Sequence, residues 1–196
     1  MKKAQSQTDK KKQLTAFQQD LINYKPKTDV ITGFKQEVNK MLNHPKHAAN
    51  GVCVWGGDAA LKNEIVKQTL QEEGLVDGLG YVIVKNRIKD DYDLINILYN
   101  NRNIPFVVIN NSDNLFADHD MALTIKYVLE DQKLRFNSIN EKIIDKETDK
   151  PLKPSNIGYD VESHYIFLAK KNPAITSVNE SKKQLLRLFD FNINAK

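Results

Sequence analysis

This chain alternates short apolar runs with longer segments of helical periodicity, and the alternation limits the folds that it can adopt. The apolar runs occupy residues 51–55, 81–84, 106–109 and 165–169. Each run is nearly continuous, which is typical of strands buried on both faces of a parallel sheet. The segments with helical spacing lie at residues 34–42, 61–73, 91–100 and 121–129. This alternation predicts an α/β fold with right-handed crossovers.

The ends of this pattern predict further elements. Thr32 is expected to cap the first helix, and Leu61 is expected on the buried face of the second. Residues 185–193 predict a last helical turn and a fifth strand, so that the sheet is five-stranded and mostly parallel. A charged hairpin or loop insertion is expected around residues 138–160, where Pro151 and Pro154 punctuate the chain.

Composition favours one globular domain with a polar arm. The chain has 196 residues, of which 40% are hydrophobic and 28% charged. Residues 1–27 are polar and basic, which predicts a flexible N-terminal arm, and residues 28–196 form the predicted domain. No apolar run approaches the roughly 20 residues that span a bilayer, so we expect no membrane partner. The single cysteine, Cys53, lies in an apolar run and is expected to be an inert core thiol in a cytoplasmic protein.

The turn after the first strand has the outline of a phosphate-binding loop. The pattern of such loops is G-x-x-x-x-G-K-[ST] between a strand and a helix. Residues 56–63 keep the first glycine and the lysine, but replace the second glycine by leucine and the metal-binding hydroxyl by Asn63, and they add Asp58. A carboxylate in the loop repels an incoming triphosphate. The residues predicted to form this degenerate phosphate loop are Gly56, Gly57, Lys62 and Asn63.

The third strand ends in asparagines where nucleotide-hydrolysing proteins carry acids. In such proteins a buried strand ends in two carboxylates, one of which supports Mg²⁺ while the other activates water. Asn110 and Asn111 occupy these positions, and an amide has neither the charge nor the basicity for those tasks. Asp113 is the nearest acid, but it lies three residues further on, at about 3.3 Å per residue in a strand. We therefore do not expect Asp113 to act as the base.

In these segments the chain resembles the small AAA+ ATPases encoded by tailed bacteriophages. The resemblance covers residues 33–193. It rests on the segments 51–56, 66–70, 98–101, 112–116 and 122–136, in that order. It implies a three-layer P-loop core in which Lys62 contacts phosphate, Asn110 and Asn111 replace the Walker B acids, and Lys170 stands near the position of a sensor asparagine. It also implies that the C-terminal helical lid of the family is lacking, since the chain ends at Lys196.

The combined substitutions predict loss of hydrolysis, because removing the base, a metal-supporting acid and a metal ligand leaves little catalysis. The leading hypothesis is an inactive pseudo-ATPase, not an enzyme, that acts as a protein-interaction or assembly subunit in the host cytoplasm. Its partner would be an AAA+ paralogue or a phage or host assembly component. The sequence leaves the oligomeric state open. No cofactor or metal is expected. Two alternatives stay open: a switch that binds ATP or ADP without hydrolysis, and a DNA-associated accessory protein that uses the basic arm and Lys170.

Overall fold

The computed structural model describes residues 30–45, 50–136, 143–153, 155–173 and 186–191. The predicted N-terminal arm lies outside these residues, as does part of the predicted insertion. The helices are α1 (Val30–Asn43), α2 (Ala59–Glu72), α3 (Asp91–Asn100), α4 (Asp113–Ala117) and α5 (His119–Asp131). The strands are β1 (Gly51–Trp55), β2 (Tyr81–Val84), β3 (Phe106–Asn110), β4 (Lys133–Phe136), β5 (Ile144–Asp145), β6 (Lys150–Pro151), β7 (Ser155–Asp160), β8 (His164–Leu168) and β9 (Leu186–Asp190).

Five of these strands form one parallel sheet in the order β2-β3-β8-β1-β9. Along the chain, β8 is the next strand of this sheet after β3. In space, it lies between β3 and β1. All five strands therefore end at the same edge of the sheet, and the loops after β1, β8 and β3 are neighbours. The prediction of a five-stranded, mostly parallel α/β sheet is confirmed.

Helices cover both faces of the sheet. Alternate residues of the central strands belong to two separate core clusters: Cys53 and Val107 pack with α3, α4 and α5, whereas Val52 and Val108 pack with α1 and α2. This division follows from the two-residue period of a strand, and it explains why the runs are continuously apolar. Burial raises the pKa of the Cys53 thiol, as expected of a core cysteine.

Most element boundaries agree with the sequence pattern to within two residues, but two local predictions were wrong. Helix α1 already includes Val30, so Thr32 lies within the helix and does not cap it. Leu61 was expected on the buried face of α2, yet it is 38% exposed, and the neighbouring Lys62 is buried instead. Val66, Thr69 and Leu70 are buried as predicted, so only the first turn of α2 departs from the prediction, and there a charged residue lies in the core.

A smaller antiparallel unit interrupts the α/β alternation. Helix α5 ends at Asp131, and its C-cap residue Gln132, with a left-handed φ of 51°, turns the chain into β4. Strand β4 pairs antiparallel with β7, and β5 pairs with β6 in a short hairpin between them. The sequence pattern indicated the hairpin but missed the β4–β7 pair. Among the described residues, no helix has the length and apolar character needed to cross a membrane.

Candidate functional site

The carboxyl ends of β1, β8 and β3 meet at one edge of the sheet. Leu168 is in register with Val54 on one side and Asn110 on the other. Beyond the strands, the Ala169 amide donates to the Val54 carbonyl at 3.0 Å, and the Ser112 amide donates to the Leu168 carbonyl at 3.1 Å. The backbone thus brings together the segments that carry Lys62, the two asparagines and Lys170.

The two glycines after β1 adopt backbone conformations that other residues disfavour. Gly56 has a φ of 79° and Gly57 a φ of 54°. A Cβ atom on Gly57 would lie only 2.3 Å from the backbone oxygen of Phe191, at the end of β9. The Phe191 amide in turn donates to the Trp55 carbonyl at 2.8 Å. Close packing between the turn and the end of β9 is therefore sufficient to explain the glycine at position 57.

Lys62 is buried, with 2% of its surface exposed, and its ammonium group is bound by the protein's own backbone. It donates hydrogen bonds to the carbonyl oxygen of Gly56 and, at 2.9 Å, to that of Ala169. Burial lowers the pKa of Lys62, and the negative charge of Asp113 partly opposes this shift. The lysine thus joins the turn after β1 to the end of β8.

The N-terminus of α2 is capped by a carboxylate from the loop itself. Asp58 is the N-cap residue, and its side chain accepts a hydrogen bond from the Leu61 amide at 2.9 Å. Free amides at a helix N-terminus are what a phosphate loop offers to its ligand. Here an internal anion takes that place.

The other substituted positions of the loop also have local explanations. The Asn63 side chain donates to the Ala59 carbonyl of its own helix at 3.0 Å. The Leu61 side chain is exposed. The amide nitrogen of Asn63 is therefore engaged with its own helix, and Leu61 lies at the surface.

At the end of β3 the two asparagines differ in environment. Asn110 is half-buried, and its Oδ1 atom is buried without a hydrogen-bond partner among the described residues. Asn111 is exposed and has a left-handed φ of 53°, a conformation that asparagine adopts more readily than most residues. Ser112 is fully buried, and its hydroxyl oxygen likewise has no partner in the described part of the chain. This strand end thus carries polar groups without a charge.

Asp113 has a structural role that sequence reasoning missed. Its carboxylate accepts hydrogen bonds from the Lys170 amide, at 2.9 and 3.0 Å, and from the Lys171 amide, at 3.0 Å. The carboxylate therefore holds the turn that follows β8. The residues involved are 57 and 58 positions apart in sequence, so no local signal could have revealed the contact.

Next to this turn lies an open cleft of about 520 Å³ at the carboxyl ends of β2, β3 and β8. Its lining consists of Arg87, Asn111, Asp113, Asn114, Phe116, Ala117, Lys170, Lys171, Asn172 and Pro173. No residue of the loop 56–63 lines it. Of the predicted site residues, Asn111 and Lys170 thus line the cleft. Lys62 does not line it, and its ammonium group is hydrogen-bonded to the Ala169 carbonyl after β8.

Comparison with known proteins gives no family assignment: no protein-family model matches the chain, and no curated protein matches it. Within the described ranges, no group of three or more His, Cys, Asp or Glu side chains is arranged to hold a metal ion. The chemistry available at the strand ends is therefore that of one buried ammonium group, an internal carboxylate cap, two amides and a group of exposed cations.

Proposed function

We propose that this protein is a non-hydrolysing, P-loop-like domain that acts as a protein-interaction or assembly subunit, related in architecture to the AAA+ ATPases of bacteriophages. The proposal rests on one observation: the groups of the loop after β1 that would bind phosphate are hydrogen-bonded to other groups of the protein. Lys62 binds two backbone carbonyls, and Asp58 caps the helix that would otherwise offer amides to phosphate. A nucleotide would have to displace both sets of hydrogen bonds.

The end of β3 supports the same proposal from the catalytic side. Phosphoryl transfer depends on a metal ion that neutralises developing charge and on a group that positions the attacking water. Asn110 and Asn111 provide no negative charge for either task, and the carboxylate of Asp113 is occupied by two backbone amides. Removing a single such group commonly costs orders of magnitude in rate, and here the losses coincide.

A domain of this architecture that does not hydrolyse nucleotides would act through its surfaces, and we therefore propose an interaction role. The sheet order supports the P-loop-like assignment, since the strand that carries Lys170 lies between those that end at Gly56 and at Asn110. The partner in this proposal is another protein, either an AAA+ paralogue or a component of a phage or host assembly, and the setting is the host cytoplasm.

The first experiment measures Mg²⁺-dependent hydrolysis of ATP and GTP by the wild-type protein and by Lys62→Met. Methionine keeps the length and volume of the side chain while removing the ammonium group. We expect the two proteins to release phosphate at the same background rate. Wild-type turnover that is abolished in Lys62→Met, and not in a matched Lys67→Met variant on the same helix, would contradict the proposal.

The second experiment separates the interaction subunit from a nucleotide-binding switch. A ligand that binds only the folded state raises the free energy of unfolding by about 2.7 kcal/mol at a concentration 100 times its dissociation constant. We expect no change in melting temperature with millimolar ATP or ADP, with or without Mg²⁺. A nucleotide-dependent stabilisation that Lys62→Met removes would favour the switch.

Asp58→Asn provides a gain-of-function control for the same assay. Asparagine is as good an N-cap as aspartate, so the helix stays capped while the negative charge is removed from the loop. If the internal charge is what excludes phosphate, this variant gains nucleotide-dependent stabilisation that the wild type lacks. The comparison thus tests the role of Asp58 without disrupting α2.

A further inference from the structure

The cleft beside the turn after β8 has a concentration of positive charge that the fold does not use. We refer to Arg87, Lys170 and Lys171 as the cationic triad. These residues come from the segments after two different strands, yet all three line the same cleft of about 520 Å³. We propose that the cleft binds a phosphate-bearing anion, either a free mononucleotide or the phosphates of a single nucleic-acid strand.

The triad is not neutralised by neighbouring carboxylates. Some cations of the described chain pair with acids at 4 Å or less, for example Lys35 with Glu72 and Arg135 with Asp131, but no triad side chain forms an ion pair with a described residue. Among the described residues that line the cleft, the one acid is Asp113, and its carboxylate oxygens accept hydrogen bonds from the backbone amides of Lys170 and Lys171. In this described lining, three positive charges therefore accompany one carboxylate that is already hydrogen-bonded.

The remaining lining suits a ligand that carries both charge and polar edges. Asn111 and Asn172 bring amide groups to the cleft, and Phe116 and Pro173 contribute apolar surface. Asn114 is held in place because its side chain donates to the Ile88 carbonyl at 2.6 Å. Amides can bond phosphate oxygens or base edges, and the volume is in the usual range for small-ligand sites, about 300–1,000 Å³.

The cleft lies at the edge of the sheet at which ligands bind in open parallel α/β proteins, outside the carboxyl ends of the strands. It is displaced towards β2 from the switch in strand order, which lies between β8 and β1. The cleft lies at the ends of β2, β3 and β8, and no residue of the loop 56–63 lines it. The inference therefore does not depend on the proposed function, since the cleft can bind an anion whether or not the loop after β1 does.

Fluorescence anisotropy with a labelled 12-nucleotide oligothymidylate tests the proposal, with unlabelled dTMP as competitor. The critical variant is Arg87→Glu/Lys171→Glu, and the matched control is Lys146→Glu/Lys150→Glu, which changes the net charge equally. The control residues lie in the β5–β6 hairpin, whose Lys146 amide is bonded to Asn100 at the far end of α3. We expect at least a tenfold loss of affinity in the first variant and less than a twofold loss in the second.

The salt dependence provides a second readout. Three phosphate contacts on a single strand predict a slope of roughly −2 for log K against log salt concentration. If dTMP competes at concentrations similar to those of the strand, the ligand is a nucleotide or a strand end. If the strand binds much more tightly, the ligand is the strand itself, and both results support the site.

Three results would overturn the proposal: no saturable binding of either probe by the wild-type protein, equal losses in the two charge-reversal variants, or loss of binding in Lys62→Met with full binding in Arg87→Glu/Lys171→Glu. The last result would assign the ligand to the loop after β1 and would count against the interaction-subunit proposal instead. If the glutamate variant does not fold, Arg87→Gln/Lys171→Gln replaces it, with the same tenfold loss expected.

Discussion

The ammonium group of Lys62, at the start of α2, donates a hydrogen bond to the backbone oxygen of Ala169, at the end of β8, over 2.9 Å. The two residues are 107 positions apart, and the same ammonium group also binds the Gly56 carbonyl. A lysine near the start of a helix that follows a glycine-rich turn is usually interpreted as a phosphate ligand. In this protein it connects three segments of the backbone across the edge of the sheet.

Lys62→Met is expected to lower the free energy of unfolding by about 1–3 kcal/mol, because two backbone carbonyls lose their charged donor. Urea unfolding monitored by circular dichroism measures the change. Lys67→Met on the same helix is the control, with an expected effect below about 0.5 kcal/mol, the usual limit for substitutions away from buried features. A Lys62→Met variant as stable as the wild type would show that the buried ammonium contributes nothing to the fold.

Gly57→Ala is expected to destabilise the protein more than Gly74→Ala, although both glycines have a positive φ. A left-handed conformation costs roughly 1–2 kcal/mol for a residue with a Cβ atom, and both variants incur that cost. At Gly57 the new atom also meets the Phe191 oxygen at 2.3 Å, whereas nothing lies within 4 Å at Gly74. The difference between the two unfolding free energies isolates the close approach, and equal values would rule it out.

Asp113→Ala is expected to cost about 2–3 kcal/mol, because a charged acceptor of two backbone amides is removed. Asp113→Asn keeps one acceptor oxygen, so its expected cost is smaller. Hydrogen exchange gives the specific readout: the Lys170 and Lys171 amides should exchange faster in Asp113→Ala than in the wild type. Unchanged protection of both amides would contradict the role assigned to this carboxylate.

His164 predicts a pH dependence of stability. Burial lowers its pKa below the usual 6.5, partly opposed by a hydrogen bond with the Met41 backbone, and its ring packs on Phe106 at 5.6 Å between centroids. Between the folded pKa and 6.5 the unfolded chain binds more protons than the folded protein, so stability falls as the pH drops through that window. Above 6.5 both states are neutral at this position, and no further dependence arises from it.

The measurement compares wild type with His164→Gln in urea unfolding at pH 7.5 and pH 5. The variant lowers stability at both pH values through lost packing, but the additional loss at pH 5 is expected only in the wild type. The same pH dependence in both proteins would assign the effect to other titrating groups.

The secondary structure was largely predictable because burial on both faces leaves a direct signature in the sequence. The runs at β1 and β2 and the period of α3 coincide with the observed elements, since each encodes its burial locally. The β4–β7 pair was missed, because a two-stranded antiparallel ladder has no such continuous run and its two strands are separated in the chain by the β5–β6 hairpin. Leu61 was predicted to be buried, but Lys62 is buried instead. Apolar spacing alone does not reveal that a lysine can be hydrogen-bonded by carbonyls from elsewhere in the fold.

The α/β architecture and the two asparagines at the end of β3 could be derived from the sequence alone, since both depend on which residue types occur in which order. What the buried and charged polar groups contact became clear only from the fold. The contacts of Lys62 with Ala169 and of Asp113 with Lys170 join positions separated by 107 and 57 residues, and the cationic triad forms because parallel strands end at one edge of the sheet. Such contacts depend on strand order, which leaves no local trace in the chain.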